Sequence, residues 1–524
     1  MDTYDDAAYD RFCAGLVNAG FEPTRVEGRP CWAGPSRPSL RTLTQATRMR
    51  IEVYPGWPLR YAHVIVAGLR TDHAADDVIC LWAEDDPAQI EGRDLEGLWD
   101  RLDQWAATAA AGFRAADRAL DAYRLYATQS TTYRGELPFR TLIDGGTGGY
   151  TAEVYGTMQG TTLLIEQGNR PDPRTLGRPI LEGAFYLCAD RIDPPRTFDE
   201  LRDALTRRQR KNLRRGLATR SETDFTKPSG GHDFVVLAWP RHDDDYDAVV
   251  LGFAGSGDAL HSAAMAATAN DPTALRRRAG PDAEMLAPKV VLVAGAGSVG
   301  GHLAVALASS GVGTVRLHDS DHLSSTNLVR HVGTRHFVGY RKTHGVSVIV
   351  EQHAPWTRVT CHDNLPYGPA ELTAAVGGVD LVIDCTGVLP MTAALADICR
   401  RQHVPLIVGA LFHHGAMARV QRQSGEDTPI ASRPDDPRYH ALPPDEQSSD
   451  TAGFLELGCT APVNNAPPGA VLVTASDLAA AAIDELTHRR ERPDERITVL
   501  RPMDAPFDRT GTFDPIDAEP SECP

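Results

Sequence analysis

The sequence predicts a multidomain α/β chain. An apolar strand, a glycine loop and an apolar helix follow one another from Val290, short β-rich runs broken by Gly and Pro fill residues 131–283, and a helix, strands and a second helix occupy residues 1–130. At 524 residues the chain can hold about three domains, each burying its own core. They are expected at 1–130, 131–283 and 284–495, with a tail of 496–524 whose Asp and Pro content predicts disorder.

The first element is a helix over Tyr9 to Ala19. Met49-Arg-Ile-Glu-Val-Tyr-Pro55-Gly-Trp-Pro58 then reads as a strand ending in a turn, His63-Val-Ile-Val-Ala as a second strand, and Cys80 follows in Ile-Cys-Leu. Leu95, Leu98, Leu102 and Trp105 recur on one face of a later helix. This order resembles an α+β ubiquitin-conjugating enzyme, which implies that Cys80 carries an acyl group as a thioester. Conjugating enzymes place His-Pro-Asn upstream of that cysteine, the Asn stabilising the oxyanion. This chain offers His73, so the resemblance implies that His73 or a backbone donor substitutes. The other reading of Cys80 is a core residue of a degenerate domain.

The middle region matches no family by its residues. Strand-like runs start at Leu137, Thr162, Phe185, Phe234 and Ala248, which predicts a small sheet domain linking the two ends. The basic cluster Arg207-Arg-Gln-Arg-Lys-Asn-Leu-Arg-Arg215 reads as a solvated helix face or as a hold for an acidic partner. Residues 269–281 are polar and read as a connector.

Val290-Val-Leu-Val293 is a buried parallel strand by its unbroken apolar run, and Gly295-Ala-Gly297-Ser-Val-Gly300 turns it into the helix beginning at Gly301. Glycines there let backbone N–H groups approach a phosphate at a helix N-terminus. A second strand, Thr314 to Leu317, ends at Asp319, placed to accept hydrogen bonds from ribose hydroxyls. So far an NAD-type dehydrogenase fits equally well. Past this point come Asp321, Asn327-Leu-Val-Arg330 and Lys342. Hydride transfer has no use for a second carboxylate, an amide and two cations. Attack on the α-phosphate of ATP does, because the triphosphate and the departing pyrophosphate need Mg²⁺ and fixed cations.

The whole pattern resembles the Rossmann-like adenylation domain shared by ubiquitin-activating enzymes and the ThiF family of thiamine and molybdopterin adenylyltransferases, where Asp-x-Asp, Asn-Leu-x-Arg and Lys recur in this order. The resemblance runs to about residue 490 and implies ATP and Mg²⁺ as cofactors. It places Gly295, Gly297 and Gly300 at the phosphates with Asn327, Arg330 and Lys342, and Asp319 at the ribose. The next two strands match at Asp380-Leu-Val-Ile-Asp384 and Pro405-Leu-Ile-Val-Gly409. Relatives carry a Mg²⁺-binding Asp where this chain has Gly387. Asp384 or Asp321 is then expected to take the metal, or metal binding is weaker; Asp384 also reads as an acid capping a turn. In related dimers an arginine near the domain entrance reaches the partner's ATP, a role open here to Arg276, Arg277 or Arg278.

Cys459 lies in Leu457-Gly-Cys-Thr-Ala-Pro, between a polar loop from Ser424 to Thr451 and an apolar helix from Val471 to Leu486. The resemblance implies a crossover-loop cysteine that captures the acyl-adenylate, a reaction natural to a thiolate. A small buried hydrophobe is the alternative. Cys-x-x-Cys pairs are absent, so no structural zinc is expected.

Composition excludes more than it identifies. A formal charge of −17 disfavours nucleic acid as a partner. Nine cysteines without paired spacing, no signal peptide and no long apolar run predict a reduced cytoplasmic protein that does not enter a membrane. The order of domains resembles the conjugating–activating fusions of bacterial anti-phage (CBASS) operons. That resemblance implies a homodimer that activates the C-terminus of a cyclic-nucleotide synthase or a ubiquitin-like modifier, passes it from Cys459 to Cys80, and joins it to target lysines. Two alternatives stay open: a ThiF-type adenylyltransferase for a sulfur carrier with a non-catalytic N-terminal docking domain, and a scaffold that binds ATP without chemistry.

Overall fold

The computed structural model describes residues 3–516 apart from 27, 70, 72, 76, 83–91, 114–119, 121, 169, 171, 173–176, 242–244 and 444–465. The chain divides into two compact units, Met1–Asp271 and Pro272–Pro524.

In the first unit, α1 (Asp6–Asn18) starts where the Asp5 carboxylate accepts the Ala8 N–H at 2.8 Å, and Ala8, Phe12 and Leu16 form its buried face. An antiparallel meander follows: β1 (Glu22–Val26), β2 (Arg29–Pro35), β3 (Arg48–Glu52) and β4 (His63–Ile65). The short hairpin β5 (Ala74–Ala75) and β6 (Val78–Ile79) extends it to six strands in the order β1-β2-β3-β4-β6-β5. Helix α2 (Leu95–Ala111), capped by Asp94, lays Leu98, Leu102, Trp105 and Ala106 into a core with Trp57, Val64 and Ile79.

The small sheet expected in the middle region is a closed barrel. Its strands are β7 (Gln129–Leu137), β8 (Thr151–Gln159), β9 (Thr162–Gln167), β10 (Ile180–Leu187), β11 (Phe234–Pro240), β12 (Tyr246–Ala254) and β13 (His261–Ala269), in the cyclic order β10-β11-β12-β13-β7-β9-β8. The runs of β11 and β12 are buried nearly throughout because both of their faces are covered. Along β11, Phe234, Val236 and Ala238 join one cluster with Leu163, Phe185 and Val250, while Val235, Leu237 and Trp239 join another with Tyr186, Leu201 and Leu213. The run expected as a strand from Leu137 breaks at Pro138, which has no N–H for a ladder, and continues as helix α3 (Phe139–Asp144). Helices α4 (Phe198–Ala204) and α5 (Arg207–Ala218) precede β11. A capping box starts α5: Thr206 accepts from the Gln209 N–H and Gln209 from the Thr206 N–H, while the buried Gln209 amide donates to the carbonyls of Tyr150 and Leu187 at 2.9 and 3.1 Å.

The second unit opens with two short helices, α6 (Pro272–Arg276) and α7 (Ala283–Leu286). Its sheet has five parallel strands, β14 (Val290–Ala294), β15 (Thr314–His318), β16 (Arg358–His362), β17 (Leu381–Asp384) and β18 (Leu406–Phe412), then three antiparallel ones, β19 (Met417–Gln423), β20 (Glu495–Val499) and β21 (Gly511–Phe513). The order is β16-β15-β14-β17-β18-β19-β20-β21. Residues of α8 (Ser298–Ser309), α9 (Lys342–His353) and α12 (Pro468–Leu486) pack with Val291, Val293 and Ile383 in one cluster, and those of α10 (Pro369–Val376) and α11 (Leu389–Gln402) with Leu292, Val382 and Leu406 in another. A doubly wound sheet of this kind opens its ligand crevice at the carboxyl ends of the strands.

One expectation is corrected here. Residues 496–516 are not a disordered tail: β20 and β21 extend the sheet, and Phe507 is fully buried beside Met417, Ile497 and Val499. Three scattered apolar side chains, Ile497, Val499 and Phe507, anchor a stretch whose average composition is polar.

Candidate functional site

The crevice forms around the turn between β14 and α8. Gly295 has φ +87°, and a Cβ there would sit 3.0 Å from the Cys385 carbonyl oxygen. At Gly300 a Cβ would fall 1.8 Å from the Gly295 carbonyl oxygen, so no side chain fits. Gly297 is different: a Cβ there meets nothing within 4 Å, and Gly297 is the N-cap of α8 with no side-chain cap bond. The helix thus presents its first N–H groups and positive dipole end to open space, which suits a phosphate.

Asp319 fastens this loop. One of its carboxylate oxygens accepts the Ala296 N–H at 2.9 Å and the other the Asp321 N–H at 2.8 Å. It is 7% exposed, and burial raises its pKa above the usual carboxylate range against the opposing pull of its N–H donors and Lys342. Lys342, first residue of α9, reaches Asp321 with its ammonium at 2.8 Å and donates its backbone N–H to the Asp321 carbonyl at 2.8 Å. A cation is therefore held beside the loop by an exposed acid. The Asn327 side-chain oxygen accepts the Ser324 N–H and hydroxyl, both at 3.0 Å. That bond folds the turn that presents Arg330, whose carbonyl lies 3.2 Å from His302 Nε2 on α8.

The sequence reading missed His331. Its Nε2 lies 2.8 Å from the Ala296 carbonyl, and its Nδ1 accepts the Gly333 N–H at 2.8 Å, which fixes the proton on Nε2. Burial pushes its pKa down, so the neutral ring ties the phosphate loop to the segment carrying Asn327 and Arg330. Its position beside Arg330 was the only signal.

Asp384 caps the turn after β17, the second of the two roles open to it. It is 1% exposed. One oxygen accepts the Thr386 N–H and hydroxyl at 2.9 and 2.7 Å, the other the Thr392 hydroxyl at 2.5 Å. With Asp321 salt-bridged to Lys342 and Gly387 carrying no donor, the residues do not fit the Mg²⁺ that the fold implies. Among the described residues there is no group of three or more His, Cys, Asp or Glu that could hold a metal ion.

In the first unit, Cys80 is half-buried in a cleft of ≈ 950 Å³ whose lining includes Arg60, His63, His73, Trp82, Arg101 and Trp105. His73 has φ +55° and its carbonyl accepts the Cys80 N–H at 2.8 Å, while its ring packs on Phe113 at 4.5 Å. Both residues therefore belong to one cleft. Burial, and then Arg60, lowers the pKa of His63. Cys459 lies outside the described residues. All six cations of the Arg207–Arg215 cluster are exposed on α5. Among the described residues no helix is long and apolar enough to cross a membrane.

Residues 274–497 match the ThiF family. The molybdopterin-synthase adenylyltransferase of Escherichia coli K12 is 32% identical over 162 residues, 30% of this chain and 60% of that protein. The SAMP-activating enzyme E1 of Haloferax volcanii is 28% identical over 233 residues, 44% of this chain and 79% of that one. A crystal structure of E. coli MccB with MccA-N7isoASN aligns at TM-score 0.36 and 17% identity, covering 46% of this chain and 68% of that chain. The chain spans 26–38% of the length of three further relatives. Motif order, the loop geometry around Gly300 and the family match agree: the C-terminal part of the chain is a ThiF-family domain.

Proposed function

We propose that the chain adenylates the C-terminal carboxylate of a partner polypeptide and then transfers the acyl group by thioester chemistry. What carries the reading is the uncapped N-terminus of α8 beside Lys342, with Asp319 and His331 holding the loop in place and Arg330 next to His331 in the chain. A carboxylate oxygen attacks the α-phosphorus of ATP, the bond to the β-phosphate oxygen breaks, and pyrophosphate leaves. Lys342 and Arg330 balance the charge that builds on the departing phosphates. Asp319 retains a ribose role through lone pairs its backbone donors leave unused. No step is assigned to Mg²⁺.

The Cys459 thiolate then attacks the acyl carbon and AMP leaves. The Cys80 thiolate displaces Cys459 by thioester exchange, and a target amine attacks that thioester, losing a proton as the thiolate departs. The cleft uniting Cys80 and His73 supports the second station. The carried partner, by resemblance alone, is a cyclic-nucleotide synthase or a ubiquitin-like modifier, and the working form is a homodimer. The test is ATP–pyrophosphate exchange by the whole chain with its partner, followed by a non-reducing gel. A partner-dependent exchange signal and a thiol-sensitive adduct are expected; exchange absent under all conditions refutes the reading.

A second reading has support in the molybdopterin-synthase adenylyltransferase match: activation of a sulfur-carrier protein, with the N-terminal region as a docking module. Activity intact in Cys80→Ala would favour it.

A further inference from the structure

A cavity of ≈ 670 Å³ opens beside the turn at Gly387. Leu389, Phe412, Ile430 and Leu442 give it apolar walls, and Gly409 and Ala410 of β18 also line it. The cavity adjoins the nucleotide loop through that turn, since the neighbouring Thr386 backbone would lie 3.2 Å from a Cβ at Gly295.

Two arginines line it, and their circumstances differ. Arg433 is spent: its guanidinium pairs with Asp494 at 3.4 Å and Glu495 at 3.5 Å and donates to the carbonyls of Thr428, Asp494 and Arg422. Arg419, on β19, is half-buried with its guanidinium 5.1 Å over the Phe412 ring, and among the described residues no hydrogen bond or salt bridge reaches it. Glu495, the acid that acts on it electrostatically, is committed to Gln421 at 2.5 Å and to Arg433. Burial disfavours its charged form, yet an arginine stays charged in proteins. A desolvated guanidinium without a counter-ion is costly, and a carboxylate offsets that cost with a bidentate pair.

We propose that this cavity receives the last residues of the polypeptide being activated and that Arg419 reads an acidic side chain within them. The inference rests on the adenylation reading above and adds a substrate class to it: C-terminal segments with small or apolar residues and one Asp or Glu at a fixed distance from the terminal carboxylate. The apolar walls select against a wholly charged tail, and the cation selects against Lys or Arg at the read position.

The test uses the full chain, ATP–pyrophosphate exchange, and synthetic octapeptides ending in Gly that carry Asp, Ala or Lys at each internal position in turn. The wild-type chain is expected to prefer Asp over Ala at one position by about tenfold or more in kcat/KM, as for a hydrogen-bonded charge pair. Arg419→Gln should erase that preference, Arg419→Lys keep part of it, and Arg419→Glu invert it toward Lys, with thermal unfolding confirming that each variant is folded. Exchange without preference at any position, or a preference intact in Arg419→Gln, overturns the inference while leaving adenylation standing. An acid preference that arises only in an Asp445→Asn, Glu446→Gln double variant also overturns it, by assigning the guanidinium to the chain's own segment. Exchange with no peptide and with no whole partner overturns both readings.

Discussion

Lys342 combines a fixed side chain and a fixed backbone at the start of α9, because Asp321 receives both its ammonium and its N–H. A cation preorganised in this way acts where charge develops, so Lys342→Ala should lower the exchange rate by about 10²–10³. Exchange surviving in that variant would remove Lys342 from the chemistry. His331 makes a prediction of opposite kind, about pH. Its folded pKa lies below the unfolded value of ~6.5, so between the two the unfolded chain binds more protons than the folded one. Its contribution is complete above ~6.5 and is lost as pH falls through that value toward the folded pKa. His318, pushed down to about 4 mainly by burial, acts in the same direction. The unfolding midpoint should therefore fall as the pH is lowered from ~6.5 toward 4. His331→Gln, which keeps a donor for the Ala296 carbonyl, should flatten that slope; an unchanged slope would mean that His331 does not titrate with unfolding.

Among elements, the loop leading into α8 separates packing from ligand approach. Gly300→Ala places a methyl group against backbone and should destabilise the second unit by more than the ~1–3 kcal/mol usual for overpacking, since a carbonyl cannot swing aside. Gly297→Ala meets nothing, so its unfolding midpoint should stay near wild type while nucleotide affinity drops, the methyl group standing where phosphate approaches. Equal losses of stability in the two variants would show that the open space is not the binding space. In α5, Gln209→Ala removes the capping-box partner of Thr206 and the second of two donors to each of the Tyr150 and Leu187 carbonyls, and should cost ~1 kcal/mol of unfolding free energy. The glycine loop and the acids and cations after it were legible in the sequence because each lies within a few residues of the strand end that positions it. The Asp384 cap depends on Thr392, a turn of helix away, and His331 reads the carbonyl of a residue 35 positions earlier, which no local pattern reveals.

For the whole molecule, the order of the two proposed stations is open to direct test. Cys459→Ala should form adenylate but no thioester, and Cys80→Ala should accumulate partner on Cys459; Cys80→Lys should trap it as an amide that resists thiol. An adduct on Cys80 in the Cys459→Ala chain would reverse the order. At this scale the sequence separated three regions but missed how the middle one closes. Partners such as β13 and β7 are distant in the chain, and an apolar run such as Phe234–Trp239 looks the same in an open sheet as in a barrel.

That closure has a consequence for life in a crowded solution. An open sheet ends in a row of unpaired N–H and C=O groups that can template pairing with another chain, and a closed one has no such row. The apolar strands β10, β11 and β12 thus have no edge to offer, and local fraying within the barrel should seed less aggregation than fraying at the outer strands of either open sheet.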